Sequence, residues 1–281
     1  YSQPCLSPVW DTCLALHALM EAGVPGDDPA VKRALRWLAE RQVTEVAGDW
    51  AAQRPGLRSG GWAFQYRNDY YPDVDDTAVV AMAFDRAARG GFPAVLNPAV
   101  DWIVGMQSEN GGWGAFDAEN THYLLNHIPF ADHGALLDPP TSDVSARCIG
   151  MLVQLGDRRG DAAIERGLAF LRREQEGDGS WFGRWGTNYI YGTWSALCAF
   201  NAAGEDMNAP HIRRAAEWLK SRQRPDGGWG EDCATYWKDR RHEVKGSTPS
   251  QTAWALLGLM AAGDVDCEAV RRGVAWLLRA P

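Results

Sequence analysis

The feature that most restricts the fold of this chain is a two-helix unit repeated five times along it. One half of the unit is an amphipathic helix that ends at Gln. Its copies run from Asp28 to Gln42, Asn97 to Gln107, Asp161 to Gln175 and Asn208 to Gln223, with a truncated fifth from Asp266 onward. Each opens on Asp or Asn, twice followed by Pro, which is N-cap chemistry. After three of the glutamines comes a Gly-rich turn and then Trp, six residues on: Gln107 to Trp113, Gln175 to Trp181 and Gln223 to Trp229. The first copy is looser, with Trp50 taken as the partner of Gln42.

The other half is a more apolar helix built around a hydroxyl residue: Thr12, Thr77, Ser145, Thr193 and Thr252. The unequal steps between these hydroxyls mean a shared core unit with loops of different length. One apolar and one amphipathic helix per repeat predict an all-α fold, an α/α toroid with buried inner and half-exposed outer helices. An open solenoid is the alternative. The whole of residues 1–281 is read as one domain, an incomplete ring. Equivalent positions of the inner helices then lie at one level. Two residues before each hydroxyl stand Trp10, Asp75, Asp143, Tyr191 and Ser250. Two acids and two large aromatics in one register predict the wall of a cavity that contains an acid.

The acid lies in the run Tyr71-Pro72-Asp73-Val74-Asp75-Asp76-Thr77. Three carboxyls this close raise one another's pKa, so one stays protonated near neutral pH when the site is apolar. The competing expectation is a helix cap on a solvated face. The register points Asp75 inward as the proton donor, with Asp73 and Asp76 keeping it protonated or oriented. Arg147, one turn into the next inner helix, is expected to tune the cluster, and Asp143 is either a supporting acid or an N-cap. The chain holds fourteen tryptophans, more than its core requires. Aromatic walls around an acid suit alkene protonation and π-face stabilisation of a carbocation.

Other chemistries lack their signatures. The net charge of −8 without a basic block argues against nucleic acid. Six scattered cysteines and six histidines lack metal-site spacing, so neither a metal nor a cofactor is expected. No apolar run is long enough to span a bilayer. No phosphate loop or Gly-x-Ser-x-Gly elbow is present. A glycosidase pair would need separated carboxylates and polar walls. The chain opens on Tyr1 and breaks off in a helical pattern, which reads as a piece of something longer.

The Asp-x-Asp-Asp run and the Gln-to-Trp turns resemble the bacterial squalene–hopene cyclases from end to end. Matching stretches include Ser7 to Thr12, Asn126 to Phe130, Gly179 to Gly186, Tyr191 to Thr193, Asp226 to Cys233 and Ser247 to Trp254. The resemblance implies a metal-free carbocation cascade in which Asp75 protonates a terminal double bond of squalene, assisted by Asp73, Asp76, Asp143 and Arg147. It implies Trp10, Asp11, Phe64, Gln65, Tyr71, Phe116, Phe130, Trp185 and Tyr191 in or near the cavity. Phe116 stands where many members have Tyr, and Arg147 where some have His, which touches how the acid is tuned. Family members are about twice as long. The resemblance therefore implies a second helical barrel outside this segment, which by itself is expected to be inactive. It further implies peripheral attachment to the cytoplasmic side of the bacterial inner membrane, through parts outside this segment, and a homodimer. Another linear polyprenoid as substrate and a non-catalytic binding toroid are the alternatives.

Overall fold

The computed structural model describes residues 6–128, 137–237, 239–240 and 246–280. Ten α-helices among them alternate along the chain. The apolar set is α1 (Pro8–Glu21), α3 (Val74–Ala87), α5 (Ser142–Leu155), α7 (Tyr189–Ala202) and α9 (Pro249–Ala261). The amphipathic set is α2 (Pro29–Ala39), α4 (Pro93–Gly105), α6 (Asp161–Glu174), α8 (Pro210–Ser221) and α10 (Glu268–Leu277). The contrast between the sets is physical. Helix α3 buries an almost unbroken run from Val74 to Ala81, whereas α2 buries only Val31, Leu35 and Leu38 along one stripe. One short antiparallel pair, β1 (Trp62–Ala63) with β2 (Pro72–Asp73), sets Trp62 opposite Asp73.

Two compact units make up the chain. The first comprises residues 1–140 and 147–166, the second residues 141–146 and 167–281. In the first unit α3 packs against α1, α2 and α4. In the second, α9 packs against α7, α8 and α10.

The repeated Gln and Trp act as a clip. Gln107 Nε2 donates to Gly111 O in its own turn and to Ala163 O of the next amphipathic helix, both at 2.8 Å. Gln175 does the same to Gly179 O and His211 O, and Gln223 to Gly227 O and Ala269 O. The turn glycines are obligatory. Gly111, Gly179 and Gly227 have φ near +90°, and a Cβ on each would run into a backbone carbonyl, that of Arg166, Arg214 or Arg272. The Trp that follows is fully buried, with its indole N–H on a carbonyl ten residues back: Trp113 on Ile103, Trp181 on Leu171, Trp229 on Leu219, each at 2.7 Å. The repeated hydroxyl completes the clip, since Thr193 and Thr252 accept the backbone N–H of Trp181 and Trp229 at 3.0 Å.

Several local expectations are corrected, among them the expected caps Asn208 and Asp266, since Ala209 precedes α8 and Cys267 precedes α10, neither with a side-chain cap bond. The Trp of the first copy is Trp62. Its indole donates to Leu38 O, its backbone N–H goes to Thr77 Oγ1, and Gln42 Nε2 reaches Gly60 O and Val95 O. The residues between Gln42 and Gly60 are an inserted loop, and Trp50 instead packs edge-on against Trp102 at 6.0 Å. The second amphipathic helix begins at Pro93 and runs through Asn97-Pro98, so that pair is helix interior and no N-cap.

Candidate active site

The acid cluster is set by the first turn of α3. Asp73 is its N-cap, with Oδ1 accepting the N–H groups of Asp75 at 2.7 Å and Asp76 at 3.1 Å. Thr77 Oγ1 donates to Asp73 O at 2.6 Å while accepting from Trp62, which locks the turn to β1. Val74, the first helical residue, donates to Ala115 O at 2.7 Å. Asp73 therefore spends one oxygen as a cap, and the next two acids of the run are carried on helical backbone.

Asp75 is the second residue of α3 and 8% exposed. Its Oδ1 lies 2.6 Å from Arg147 Nε. The guanidinium in turn sits 5.2 Å from the centre of the Trp10 ring. An acid, a cation and an aromatic face thus share one site inside the first unit. A guanidinium at this distance favours the charged form of a carboxyl.

Burial and mutual repulsion work against full ionisation of the cluster. Burial, and then the charge of Asp75, push the Asp73 carboxyl well above its ordinary range, against the pull of its two backbone N–H bonds. Burial and the charges of Asp73 and Asp75 do the same to Asp76, opposed by Arg147. The exposed Asp11 adds to the upward push on Asp76. Asp76 Oδ1 is buried without a hydrogen-bond partner, a setting that disfavours the charged form. The thiols of Cys13 and Cys148 are buried and raised in pKa, partly by the charges of Asp76 and Asp75 respectively, so they serve as neutral walls.

The remaining expected site residues separate into groups. Phe64 is half-buried and holds Ser7 through its carbonyl at 2.5 Å. Gln65 is exposed and borders a cleft of about 510 Å³ with Arg41, Tyr66, Arg67 and Asp69, a polar setting. Tyr71 is exposed and donates to Asp49 Oδ2 at 2.7 Å. Phe116 is half-buried, its N–H on Asp138 Oδ2 at 2.5 Å. Phe130 lies outside the described residues.

Asp143, Trp185 and Tyr191 belong to the second unit. Asp143 is 1% exposed and fully engaged as an acceptor. Its Oδ1 takes Thr141 Oγ1 at 2.5 Å, and its Oδ2 takes the N–H groups of Arg184 at 2.9 Å and Trp185 at 2.8 Å. Trp185 projects with 49% of its surface exposed. Tyr191 is buried against Trp194 and Trp254 at ring distances of 5.4 and 4.8 Å.

Two acids that bind backbone amides, the buried Asp138 and the half-buried Glu231, escaped the reading of the sequence. Asp138 accepts the N–H groups of Ala115, Phe116 and Asp117 and so fixes the segment on which Val74 hangs. Glu231 accepts those of Asn188 and Ile190. Both act on backbone amides, for which no side-chain motif exists.

Solved structures place this fold in a class. A type II terpene cyclase from Scytonema, solved with geranylgeranyl dihydroxybenzoate, superposes with a TM-score of 0.68 over 97% of this chain and 68% of its own, at 20% identity. The fold is accordingly the all-α, α/α-toroid fold of the terpene cyclases. Residues 6–281 match the squalene-hopene cyclase C-terminal domain, and the chain belongs to that family. It is 58% identical over 283 residues to a squalene–hopene cyclase of Zymomonas mobilis and 50% identical over 284 residues to that of Alicyclobacillus acidocaldarius. These matches cover 99% and 98% of this chain, but only 43% and 44% of the relatives. The chain therefore spans less than half the length of the cyclases it matches.

Proposed function

We propose that the whole protein, to which this chain contributes the acid, cyclises squalene to hopene, hopanol or both. The observation that carries this is Asp75 held against Arg147 inside a cluster whose other carboxyls are driven toward their protonated forms. The Asp75 O–H breaks, its hydrogen forms a C–H bond with the π pair at the CH carbon of a terminal double bond, the carbon bearing the two methyl groups becomes the cation, and the O–H electron pair remains on the carboxylate beside Arg147. The tertiary cation is attacked by the next double bond, and each ring closure passes the charge onward. Loss of a proton gives the alkene, and capture of water gives the alcohol. Aromatic faces such as Trp10 attract the moving cation without reacting with it.

Squalene is insoluble in water, which supports a peripheral, monotopic enzyme on the cytoplasmic side of the bacterial inner membrane. Its membrane-facing surface is assigned to parts beyond this chain, and its assembly to a homodimer. Among the described residues no helix is long and apolar enough to cross a membrane.

The test is product analysis of the whole protein with squalene, beside D75N. The amide keeps the shape and carries no transferable acid proton, so turnover is expected to fall on the order of 10⁴-fold. Undiminished hopene or hopanol from D75N would overturn the assignment.

A further inference from the structure

The segment from Gly183 to Tyr189 is suspended between two carboxylates. At its near end Asp143 Oδ2 takes the N–H groups of Arg184 and Trp185. At its far end Glu231 Oε2 takes those of Asn188 at 2.9 Å and Ile190 at 2.7 Å. Helix α7 has no side-chain cap of its own, because Asn188 Oδ1 turns back to the N–H of Gly183 at 3.3 Å. Glu231, from a loop more than forty residues downstream, does that work, and its charge suits the positive end of the helix.

Glu231 is itself gripped. Gln251 Oε1 accepts its N–H at 2.7 Å, while Gln251 Nε2 donates to its carbonyl at 2.9 Å and to Thr187 O at 3.0 Å. Gln251 is 6% exposed on the first turn of α9. The suspended backbone lies on the Tyr191 ring so closely that a Cβ on Gly186 would come within 2.4 Å of it. Gly186, next to Trp185, is therefore stopped by the Tyr191 ring on that side.

We propose that Glu231, oriented by Gln251, is a positioning residue for cyclisation, fixing the Trp185 loop from the end opposite Asp143. The inference rests on the cyclase reading, in which Trp185 and Tyr191 line the cavity. Glu231 touches no reacting atom. It acts through the backbone of residues 187–190, by setting where an aromatic face stands when the cation passes it, and errors of about 1 Å in such placement cost up to roughly 100-fold in rate.

The experiment pairs amide hydrogen exchange with squalene kinetics on the whole protein, comparing wild type, E231A, E231D and E231Q. One oxygen accepts both N–H groups, so the amide of E231Q serves nearly as well as the carboxylate. E231A and the shortened E231D are expected to speed exchange at Asn188 and Ile190 by roughly tenfold or more, leaving α1 to α4 unchanged. The same two variants are expected to lower kcat roughly tenfold with KM nearly constant. E231Q restores most of both. If E231A does not fold, E231D carries the comparison. Unchanged exchange at residues 188 and 190 overturns the clamp. Altered exchange with unaltered kcat overturns the positioning role, and loss of kcat in E231Q with normal exchange assigns the charge itself to the chemistry. A wild type that exchanges as expected but does not consume squalene sinks the cyclase reading and leaves the clamp standing.

Discussion

Asp75 and Asp143 occupy the same position of the repeat, two residues before the hydroxyl, and the structure gives them different work. Asp75 meets a guanidinium at 2.6 Å between two carboxyls that resist ionisation. Asp143 meets a hydroxyl and backbone amides, and both its oxygens are committed. One site groups three acids and a cation, the arrangement on which the proposed proton transfer rests. The other is an acceptor whose two oxygens hold a hydroxyl and the backbone of residues 184–185 in place. A shared register fixes where a side chain starts, and its neighbours decide what it does.

The sharpest way to break that contrast is the pair of amides. Where D75N is expected to abolish turnover, D143N should cost only roughly ten- to a hundredfold, through a displaced Trp185 loop. Equal losses, measured as kcat with squalene, would merge the two roles. The next test removes the cation: R147M retains volume and loses the charge beside Asp75. Turnover is expected to fall roughly 100-fold. Because Arg147 also draws the Asp76 carboxyl downward, its removal lets the cluster keep a proton to higher pH. The alkaline limb of the pH–rate profile then moves up, and a downward movement would contradict the arrangement.

The smallest effect is on stability, and there the two regions should differ in sign. Folded Asp76 binds its proton more tightly than the unfolded chain does, for which about 3.9 is the reference value. That contribution to stability is complete below the unfolded value and disappears as the pH rises through the folded one. D76N cannot ionise, so its melting temperature should overtake wild type by a margin that grows from pH 4 to pH 8, on the order of 1 kcal/mol. D143N should instead destabilise by roughly 1–3 kcal/mol by leaving buried amides short of an acceptor. Thermal melts across that range decide both signs.

Much of this organisation was legible in the sequence, because the repeat writes the same chemistry several times. Thr77, Thr193 and Thr252 recur since each receives a tryptophan N–H, and the glutamines recur since each spans two helices. Trp62 was hidden by the insertion that separates it from Gln42, although Gly60-Gly61-Trp62 repeats the Gly-Gly-Trp of the second and fourth turns. Asn97-Pro98 imitated a helix start, because N-cap followed by Pro also occurs inside a helix when an earlier Pro has already begun it. The acid run could be found by its spacing. Asp138 and Glu231 could not, for their partners are backbone amides brought near only by folding.

The clip also has a bearing on how such a protein can vary. It ties each Gln to its own turn, each Trp to the preceding helix, and Trp62, Trp181 and Trp229 to the hydroxyl that follows, but it leaves the path from Trp to hydroxyl unspecified. That path is short between Trp181 and Thr193 and about twice as long between Trp229 and Thr252. The excursions that carry Trp185, Glu231 and the approach to Asp75 thus differ in length within one chain while the clip that anchors them stays the same.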